Sequence, residues 1–411
     1  MTKNKLGSKI KGDEYLVLHE FAKKDKGKLP KETWDYLIGA AETETTFKRN
    51  RYALDSLAFR PRVLRDVEKV NSSSKLFGHE LRIPIILAPI GSMQDFVEGA
   101  GEAPTKAAAE FGVMHMISST CMPGFEQVAK SVNYPKLFQL YVRGDQDWVD
   151  DNIKKAIDLN YAGICLTVDL DAYGRRERDL AKRYRTTSRQ SASGFEHQMR
   201  FSWKDIDRIK TYCDLPIIIK GIATKEDAVL AVEHGVEVIY VSNHGGRQLD
   251  FGLGGLKVLP EIVDAVGKDA TIFFDGGIMR GTDVVKALSL GADVVGIGRL
   301  QGLAAAAGGS KAIYRMLELL ELEILTCLRL LGVNDITDLN SNLLTKDDSF
   351  GTLDALSAFP LINEGYWFIW NRIWLNFFKN LSAIVFGDRG TILWFVYFNF
   401  LTIFSKGWSK Y

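Results

Sequence analysis

From about residue 83 onward, short apolar runs rich in β-branched residues alternate with stretches whose apolar positions recur at helical spacing. The alternation repeats eight times along the chain. The predicted strands are residues 83–89, 114–119, 136–142, 163–169, 215–221, 236–243, 270–277 and 293–299. The amphipathic stretches between them include predicted helices at residues 102–111, 225–234 and 282–290.

Eight strand–helix units with nearly continuous apolar strands predict an α/β protein with a (β/α)8 (TIM) barrel. A doubly wound open sheet has the same alternation and stays the alternative on pattern alone. In a barrel of this type, functional side chains lie at the carboxyl ends of the strands. The ends of the predicted strands are therefore the places to search for chemistry.

Three segments flank or interrupt the predicted barrel of residues 71–362. Residues 1–70 predict an N-terminal helical cap, in which Leu29-Pro30 opens a segment carrying Tyr36. Residues 177–200 form a long polar stretch, which is typical of a lid loop. Residues 363–411 form an apolar, aromatic-rich tail.

Composition excludes several classes of function. The 411-residue chain is 46% hydrophobic with a formal net charge of +1, and its basic residues are dispersed, so a nucleic-acid partner is not expected. Four separated cysteines, Cys121, Cys165, Cys213 and Cys327, form no CxxC pair or metal-ligand cluster, which indicates reduced thiols and no metal site. The N-terminus lacks the apolar stretch of a secretory signal, so we expect a cytoplasmic protein.

Charged residues with complementary chemistry follow the predicted strands. His244 follows strand six and Asp169 ends strand four, which predicts a base with an orienting carboxylate. Arg176 and Arg247 follow the same two strands and suit a carboxylate, which paired guanidinium donors bind well. Taken singly, each residue has an ordinary structural explanation, and only the set points to catalysis.

A phosphate site is predicted separately, where strands seven and eight end. Asp275-Gly276-Gly277 closes strand seven, and Gly298-Arg299 closes strand eight just before a helix. Strands seven and eight are the usual phosphate corner of this barrel, although the glycines also suit ordinary tight turns. Lys220, at the end of strand five, is expected either to neutralise charge on a bound ring or to form a structural salt bridge.

These residues resemble the FMN-dependent 2-hydroxy-acid oxidase and dehydrogenase family, which includes glycolate oxidase, lactate oxidase and mandelate dehydrogenase. The resemblance covers roughly residues 29–340. Its most specific motif is Ser-Asn-His-Gly-Gly-Arg-Gln-Leu-Asp at residues 242–250. The supporting motifs, in order, are Leu29-Pro30, Gln139-Leu140-Tyr141, Leu166-Thr167-Val168-Asp169, Gly174-Arg175-Arg176-Glu177 and Asp275-Gly276-Gly277.

The resemblance implies FMN-dependent oxidation of a small L-2-hydroxy acid to a 2-oxo acid. The expected electron acceptor is O2, or a quinone if the C-terminal tail binds a membrane. It implies that His244 is the base, that Asp169 supports its protonated form, and that Lys220 stabilises the reduced ring. Whether His244 removes the C2 proton or the hydroxyl proton stays open. The implied substrate-binding residues are Tyr36, Tyr141, Arg176, His244 and Arg247. The implied FMN-binding residues are Pro89, Ile90, Gly91, Ser118, Gln139, Thr167, Lys220, Ser242, Asp275, Gly276, Gly277, Ile278, Met279, Gly298 and Arg299. By analogy with the family, a homo-oligomer, often a tetramer, is expected.

Three departures from the commoner family pattern refine this hypothesis. Ile90-Gly91 replaces Thr-Ala and resembles mandelate dehydrogenase, which slightly favours a dehydrogenase over an oxidase. Ser118-Ser119-Thr120 replaces Ser-Ser-Trp, which removes an aromatic wall and suits a bulkier substrate side chain. Met279-Arg280 replaces Arg-Arg, so the cofactor is expected to depend more on Arg299.

The tail combines aromatic residues with basic ones, and its longest uncharged run, residues 391–405, is shorter than the ~20 residues that span a bilayer. We expect either an anchor lying on the inner face of a membrane or a packed appendage. Two functional alternatives remain at this point. One is another FMN barrel, such as an isomerase or an IMP-dehydrogenase-like enzyme, and the other is an inactive membrane-bound scaffold.

Overall fold

The computed structural model describes residues 15–347 and 357–359. The sequence begins with three helices, α1 (His19–Lys28), α2 (Lys31–Ile38) and α3 (Thr45–Asp55). The helical cap predicted for residues 1–70 is thus only partly helical where it is described, because β1 (Leu57–Phe59) follows α3 and pairs antiparallel with β12 (Leu344–Lys346). Short hydrogen-bonded strands tie this part of the chain to the distant residues 344–346, a pairing that no local pattern reveals.

Eight parallel strands close into a barrel, which confirms the predicted fold. In order around the barrel they are β4 (Ile85–Leu87), β5 (Met114–Ser118), β6 (Leu137–Leu140), β7 (Ile164–Thr167), β8 (Ile217–Ile222), β9 (Val238–Val241), β10 (Thr271–Phe274) and β11 (Val294–Ile297). Closure occurs where β11 pairs with β4, so the open-sheet alternative is wrong. Each strand lies in or overlaps its predicted run, and most predicted runs were too long because they included the polar residues at the strand ends.

Helices surround the barrel. They are α4 (Glu102–Phe111), α5 (Phe125–Ser131), α6 (Gln146–Asp158), α10 (Trp203–Lys210), α11 (Lys225–Glu233), α12 (Gly255–Val266), α13 (Gly281–Ser289) and α14 (Arg299–Leu331). The three helices predicted from periodicity match α4, α11 and α13 to within one residue. Helix α14 is interrupted at Gly308 and Gly309, whose backbone angles are not helical.

The barrel interior is filled by apolar side chains, and a hairpin covers one end. Strands β2 (Ser74–Leu76) and β3 (His79–Leu81) form the hairpin. Its Leu76 and Leu81 belong to the same buried cluster as residues that begin barrel strands, including Met114 and Val238. The hairpin therefore lies at the amino-terminal end of the barrel. Ligand access is left to the carboxyl-terminal end, as this fold requires.

The predicted lid loop is more regular than expected. It contains three short helices, α7 (Glu177–Ala181), α8 (Thr187–Gln190) and α9 (Phe195–Arg200). All four cysteines are buried and free, as predicted. Within residues 15–347 and 357–359 there is no cluster of metal-ligating side chains and no helix long and apolar enough to cross a membrane. The predicted membrane-surface tail, residues 363–411, lies outside the described residues.

Candidate active site

A cavity of about 1350 Å³, including its open mouth, lies at the carboxyl ends of the barrel strands. Most of the site residues predicted from the sequence line it. They are Tyr36, Pro89, Ile90, Gly91, Tyr141, Arg176, Lys220, His244, Arg247, Asp275, Gly276, Gly277, Ile278, Met279, Gly298 and Arg299. These residues are spread over more than 260 positions of sequence. The closed barrel brings most of them to one place because all its strands end there, and Tyr36 reaches the same place from α2.

The remaining predicted residues stand just behind the lining. Asp169 contacts His244, and Ser242 contacts Lys220. Ser118 forms a hydrogen bond with Thr120, which itself lines the cavity. Gln139 and Thr167 are buried at the ends of β6 and β7. The predicted set therefore forms one connected site.

His244 is held between Asp169 and Tyr141. Its Nδ1 lies 2.9 Å from an Asp169 carboxylate oxygen, and its Nε2 lies 3.3 Å from the Tyr141 hydroxyl. The ion contact at Nδ1 fixes the ring orientation and leaves Nε2 to face the cavity with Tyr141. A histidine base with this arrangement can accept a proton at Nε2 while Asp169 balances the charge that results.

The backbone at His244 is strained, and its neighbours explain how the strain is maintained. His244 has φ of +56°, a left-handed conformation that is uncommon for residues other than glycine. The side chain of Asn243 accepts a hydrogen bond from the Gly246 amide at 3.1 Å, which closes the turn. A side chain at Gly246 would approach the Phe47 backbone nitrogen to 2.6 Å, so glycine is required there. The turn thus aims His244 into the cavity.

Electrostatics favour a neutral His244. Burial lowers the pKa of His244, Asp169 opposes that shift, and the nearby cations Lys220 and Arg176 reinforce it. Burial alone would raise the pKa of Asp169, but the charge and hydrogen bond of His244 outweigh burial and hold that pKa below its ordinary value. At neutral pH the pair is therefore a neutral imidazole beside a carboxylate, the form that can accept a proton.

Lys220 belongs to a second buried network. Its Nζ lies 2.9 Å from the Ser242 hydroxyl and 3.5 Å from Asp275. Ser242 in turn donates to Asp275 at 2.6 Å. Although burial lowers the pKa of Lys220, the carboxylates of Asp275 and Asp169 raise it by more, so Lys220 stays charged. The salt bridge that was left open as an alternative for Lys220 is present, and the ammonium group also lines the cavity.

Arg176 and Arg247 face the cavity side by side. Arg247 donates to the carbonyl oxygens of Tyr36 and Gly39, both at 2.8 Å. Both guanidinium groups lie against the Tyr36 ring, at 6.0 Å for Arg176 and 4.7 Å for Arg247. Burial and the neighbouring Arg176 charge lower the pKa of Arg247. Two adjacent cations without a carboxylate partner among the described residues form a site that an anion would stabilise.

Glycines and Arg299 form the predicted phosphate corner. Gly276 and Gly277 have φ of +122° and +82°, conformations that glycine adopts without strain. A Cβ atom at Gly298 would meet nothing within 4 Å, so its backbone is open to a close approach. Burial, together with the Arg247 and Arg176 charges, lowers the pKa of Arg299 to about 9. An anion at this corner would reverse that shift.

Arg280 does not take the place of the missing corner cation. It pairs with Glu323 at 2.6 Å and is absent from the cavity lining, whereas Met279 lines the cavity. The backbone of this turn is supported from below by Asp283, which accepts from the Met279 amide at 2.9 Å and pairs with Arg51 at 2.7 Å. Arg51 also lines the cavity, but its charge is paired with Asp283 and Asp55. Among the described residues, Arg299 is therefore the cation of this corner that has no carboxylate partner.

Buried polar atoms without partners show that the cavity fits the expected FMN. Both polar atoms of the Gln139 amide and the Nε of Arg299 have no hydrogen-bond partner among the described residues. Leaving such groups unpaired costs roughly 1–3 kcal/mol each, so folded proteins normally satisfy them with a ligand or water. A ring with polar edges near Gln139 and a phosphate near Arg299 would do so. The residues present thus fit FMN.

Sequence reasoning missed several lining residues. Arg143, Tyr173, Ser188 and Arg189 also line the cavity, and the last two belong to the lid segment, residues 177–200. The polar composition of that segment was a usable signal, but nothing in it indicated which residues turn inward. Arg143 stands two positions after Tyr141, a strand-end location that would have justified attention.

Comparisons with known proteins agree with this geometry. The family model described as FMN-dependent dehydrogenase matches residues 25–346. A peroxisomal (S)-2-hydroxyacid oxidase of Arabidopsis thaliana is 37% identical over 350 residues, covering 80% of this chain and 96% of that protein. The glycolate oxidase of Spinacia oleracea is 34% identical over 357 residues, covering 81% and 96%.

Solved structures give the same result. A structure of mandelate oxidase with (S)-2-phenylpropionate superposes with a TM-score of 0.76 at 32% identity, covering 82% of this chain and all of that one. An active chimera of (S)-mandelate dehydrogenase superposes with a TM-score of 0.76 at 27% identity, covering 80% of this chain and 99% of that one.

Proposed function

Because this chain belongs to the FMN-dependent dehydrogenase family, with FMN as its cofactor, we propose that it oxidises an L-2-hydroxy acid to the corresponding 2-oxo acid. The observation that carries the proposal is the arrangement around His244. A neutral histidine supported by Asp169 faces the same cavity as two adjacent arginines that lack carboxylate partners among the described residues. An acid-binding pair beside a base is what this reaction needs.

The arginines and tyrosines bind and orient the substrate. Arg176 and Arg247 hold the C1 carboxylate through charge-assisted hydrogen bonds, and the nearby Tyr36 and Tyr141 hydroxyls bind the substrate oxygens. Burial raises the pKa of Tyr141, so its hydroxyl stays protonated and can donate. Because the arginines hold the carboxylate and the tyrosines hold the substrate oxygens, the C2 hydroxyl lies near His244 Nε2.

His244 then takes a proton. FMN, when bound, would supply the acceptor for the two electrons and for the second of the two protons that the substrate loses. His244 Nε2 accepts either the C2 proton or the hydroxyl proton, and both routes use the same residues. Asp169 stabilises the protonated ring through the Nδ1 contact. The side chains of His244 and Asp169 are largely buried, which strengthens the electrostatic interaction between them.

Residues on the other side of the cavity would hold the cofactor. Gln139, Thr167 and Ser242 would bind polar edges of the ring, and Lys220 would present its positive charge there. Pro89, Ile90 and Gly91 would lie near the ring, and Ser118 positions Thr120 beside them. The phosphate would be bound by the turn of Asp275 to Met279 together with Gly298 and Arg299.

We propose a dehydrogenase rather than an oxidase, because Ile90-Gly91 resembles mandelate dehydrogenase. A side chain at Gly91 would approach the Thr120 hydroxyl to 2.4 Å, so glycine and threonine share this space. The relatives named above include oxidases, and the acceptor, whether O2 or a quinone, requires a kinetic measurement. The oligomer expected by analogy and the membrane-surface role of the tail likewise stay predictions.

The decisive experiment is anaerobic reduction of the bound flavin by a panel of L-2-hydroxy acids, followed by readmission of air. The protein is expected to purify yellow, and at least one acid is expected to bleach its absorbance. Slow recovery of colour in air would support the dehydrogenase, and rapid recovery would support an oxidase. Bound flavin that no 2-hydroxy acid bleaches would contradict the proposed reaction.

A further inference from the structure

Positive charge at the cavity exceeds what one carboxylate and one phosphate require. Five lining arginines form no ion pair with a carboxylate among the described residues, namely Arg143, Arg176, Arg189, Arg247 and Arg299. Under the proposed function, Arg176 and Arg247 bind the C1 carboxylate and Arg299 binds the cofactor phosphate. Arg143 and Arg189 remain without an assigned anion.

Arg143 is held near the reacting groups by rings and backbone. Its guanidinium lies 4.2 Å from the Phe195 ring and 5.6 Å from the Tyr141 ring, and it donates to its neighbour's carbonyl, that of Val142, at 2.9 Å. The Tyr141 hydroxyl meets His244, so Arg143 lies one ring away from the proposed base. Burial lowers the pKa of Arg143, and no carboxylate compensates for that burial.

The lid segment, residues 177–200, packs against the backbone of Arg143. A Cβ atom at Gly194 would come within 2.1 Å of the Arg143 carbonyl oxygen, so the two backbones touch. Helix α9 begins with Phe195, the ring that contacts the Arg143 guanidinium. These contacts fix Arg143 toward the cavity rather than toward solvent, where an unpaired arginine would otherwise extend.

Arg189 approaches the same region from the lid. Its guanidinium lies 4.3 Å from the Tyr173 ring, and Arg176 lies 4.8 Å from that same ring. One buried acid, Asp179, interacts electrostatically with Arg247, Arg176, Arg189 and Arg178 but forms no ion pair within 4 Å among the described residues, and Arg178 is paired with Glu44 instead. A single carboxylate shared among three cations leaves net positive charge on this side of the cavity.

We propose that Arg143, assisted by Arg189, binds a second carboxylate, so that the preferred substrate is a 2-hydroxy dicarboxylic acid. This inference rests on the proposed function, which supplies the site of the first carboxylate. Space for the longer substrate is consistent with Thr120, a small residue that lines the cavity. A carboxylate satisfies an otherwise unpaired guanidinium better than an apolar side chain does.

The first test compares two substrates of equal chain length that differ in the distal group. L-2-hydroxyglutarate carries a second carboxylate, and L-2-hydroxyvalerate ends in a methyl group. Anaerobic flavin reduction by the holoenzyme is expected to show a kcat/KM about 10- to 100-fold higher for the diacid, the range of a charged hydrogen-bonded contact. Equal or better reduction by the monoacid would overturn the inference and leave the proposed function intact. Reduction by neither acid nor by the wider panel would instead contradict the proposed function.

The second test assigns the effect to Arg143. Arg143→Met keeps the side-chain stem and removes the charge, and it is expected to lower the diacid-to-monoacid ratio about 10-fold or more. Arg143→Lys is expected to restore part of that ratio. The matched control is Arg185→Met, an exposed lid arginine that does not line the cavity and is expected to leave the ratio unchanged.

A binding measurement separates recognition from turnover. Binding of 2-oxoglutarate, followed by its perturbation of flavin absorbance, is expected to weaken about 10-fold in Arg143→Met and to be unchanged in Arg185→Met. If Arg143→Met keeps both the substrate ratio and the affinity for 2-oxoglutarate, Arg143 does not bind the second carboxylate and the inference is wrong.

Discussion

Two sides of the cavity satisfy their charges in different ways. On the strand-end side, His244, Asp169, Lys220, Ser242 and Asp275 are joined by side-chain hydrogen bonds and ion contacts between 2.6 and 3.5 Å long. On the lid side, Arg143 and Arg189 lie against aromatic rings and have no carboxylate within ion-pair distance among the described residues. Hydrogen bonds and ion contacts pair the charges of the strand-end side with one another, whereas the ring contacts of the lid side leave its guanidinium groups without a counter-charge. Under the proposed function, the reacting atoms of the substrate meet the hydrogen-bonded side, and its distal end meets the lid side.

Removing the proposed base on the strand-end side should cause the largest loss of activity. His244→Ala is expected to lower the rate of flavin reduction about 10³- to 10⁴-fold, because no other strand-end group replaces a positioned base. The variant should still purify with FMN, because His244 is not among the residues proposed to bind it. Stopped-flow reduction under anaerobic conditions measures the rate. His234→Ala is the control, since His234 pairs with Asp207 away from the cavity. A near-normal rate in His244→Ala would remove the base assignment.

Loss of the supporting carboxylate should be the next largest effect. Asp169→Asn is expected to slow flavin reduction about 10²-fold, because the protonated ring loses its counter-charge. The same substitution should also shift the pH dependence of flavin reduction in a defined direction. The base works when neutral, so activity is lost as pH falls through the His244 pKa, which burial already holds below its usual value. Asp169 is the group that opposes this lowering, so its removal should move the acidic limb to still lower pH. A shift of the acidic limb to higher pH would contradict the proposed electrostatic interaction between Asp169 and His244.

The carboxylate clamp should give a smaller change in a different kinetic constant. Arg247→Met is expected to raise KM for the hydroxy acid about 10- to 100-fold, with a lesser effect on kcat. Because Arg247 also donates to Tyr36 and Gly39, thermal melting must accompany the kinetics. Arg247→Lys should recover part of the affinity. An unchanged KM in a folded Arg247→Met protein would exclude the clamp.

The smallest predicted effect tests the space that Gly91 shares with Thr120. Gly91→Ala is expected to destabilise the protein by about 1 kcal/mol, because the new methyl group would lie 2.4 Å from the Thr120 hydroxyl. Adding Thr120→Ala should recover most of that loss in chemical denaturation. Gly124→Ala is the control, since a methyl group there meets nothing within 4 Å. Equal stability of Gly91→Ala and the parent protein would show that Thr120 adjusts without cost.

The barrel and most of the residues at its strand ends were predictable from the amino-acid sequence alone. Periodicity placed all eight strands, because strands buried on both faces must be continuously apolar. His244, Asp169, Arg176 and Arg247 were predicted because the loops that follow such strands meet at one end of a closed barrel. For these residues, position along the chain already implied position in space.

The lid side of the cavity and the contacts that support it depend on tertiary packing and were not predictable from the sequence. Arg143 and Arg189 enter the cavity because Gly194, Phe195 and Tyr173 pack against them, and no periodic pattern encodes such contacts between irregular segments. The pairing of β1 with β12 likewise joins residues almost 290 positions apart. The local pattern of apolar residues indicates which face of a helix or strand is buried. Contacts between loops, in contrast, form only when distant parts of the chain have folded together. The gathering of the proposed catalytic residues at one cavity was therefore predictable from sequence, whereas the contacts behind the proposed choice of substrate were not.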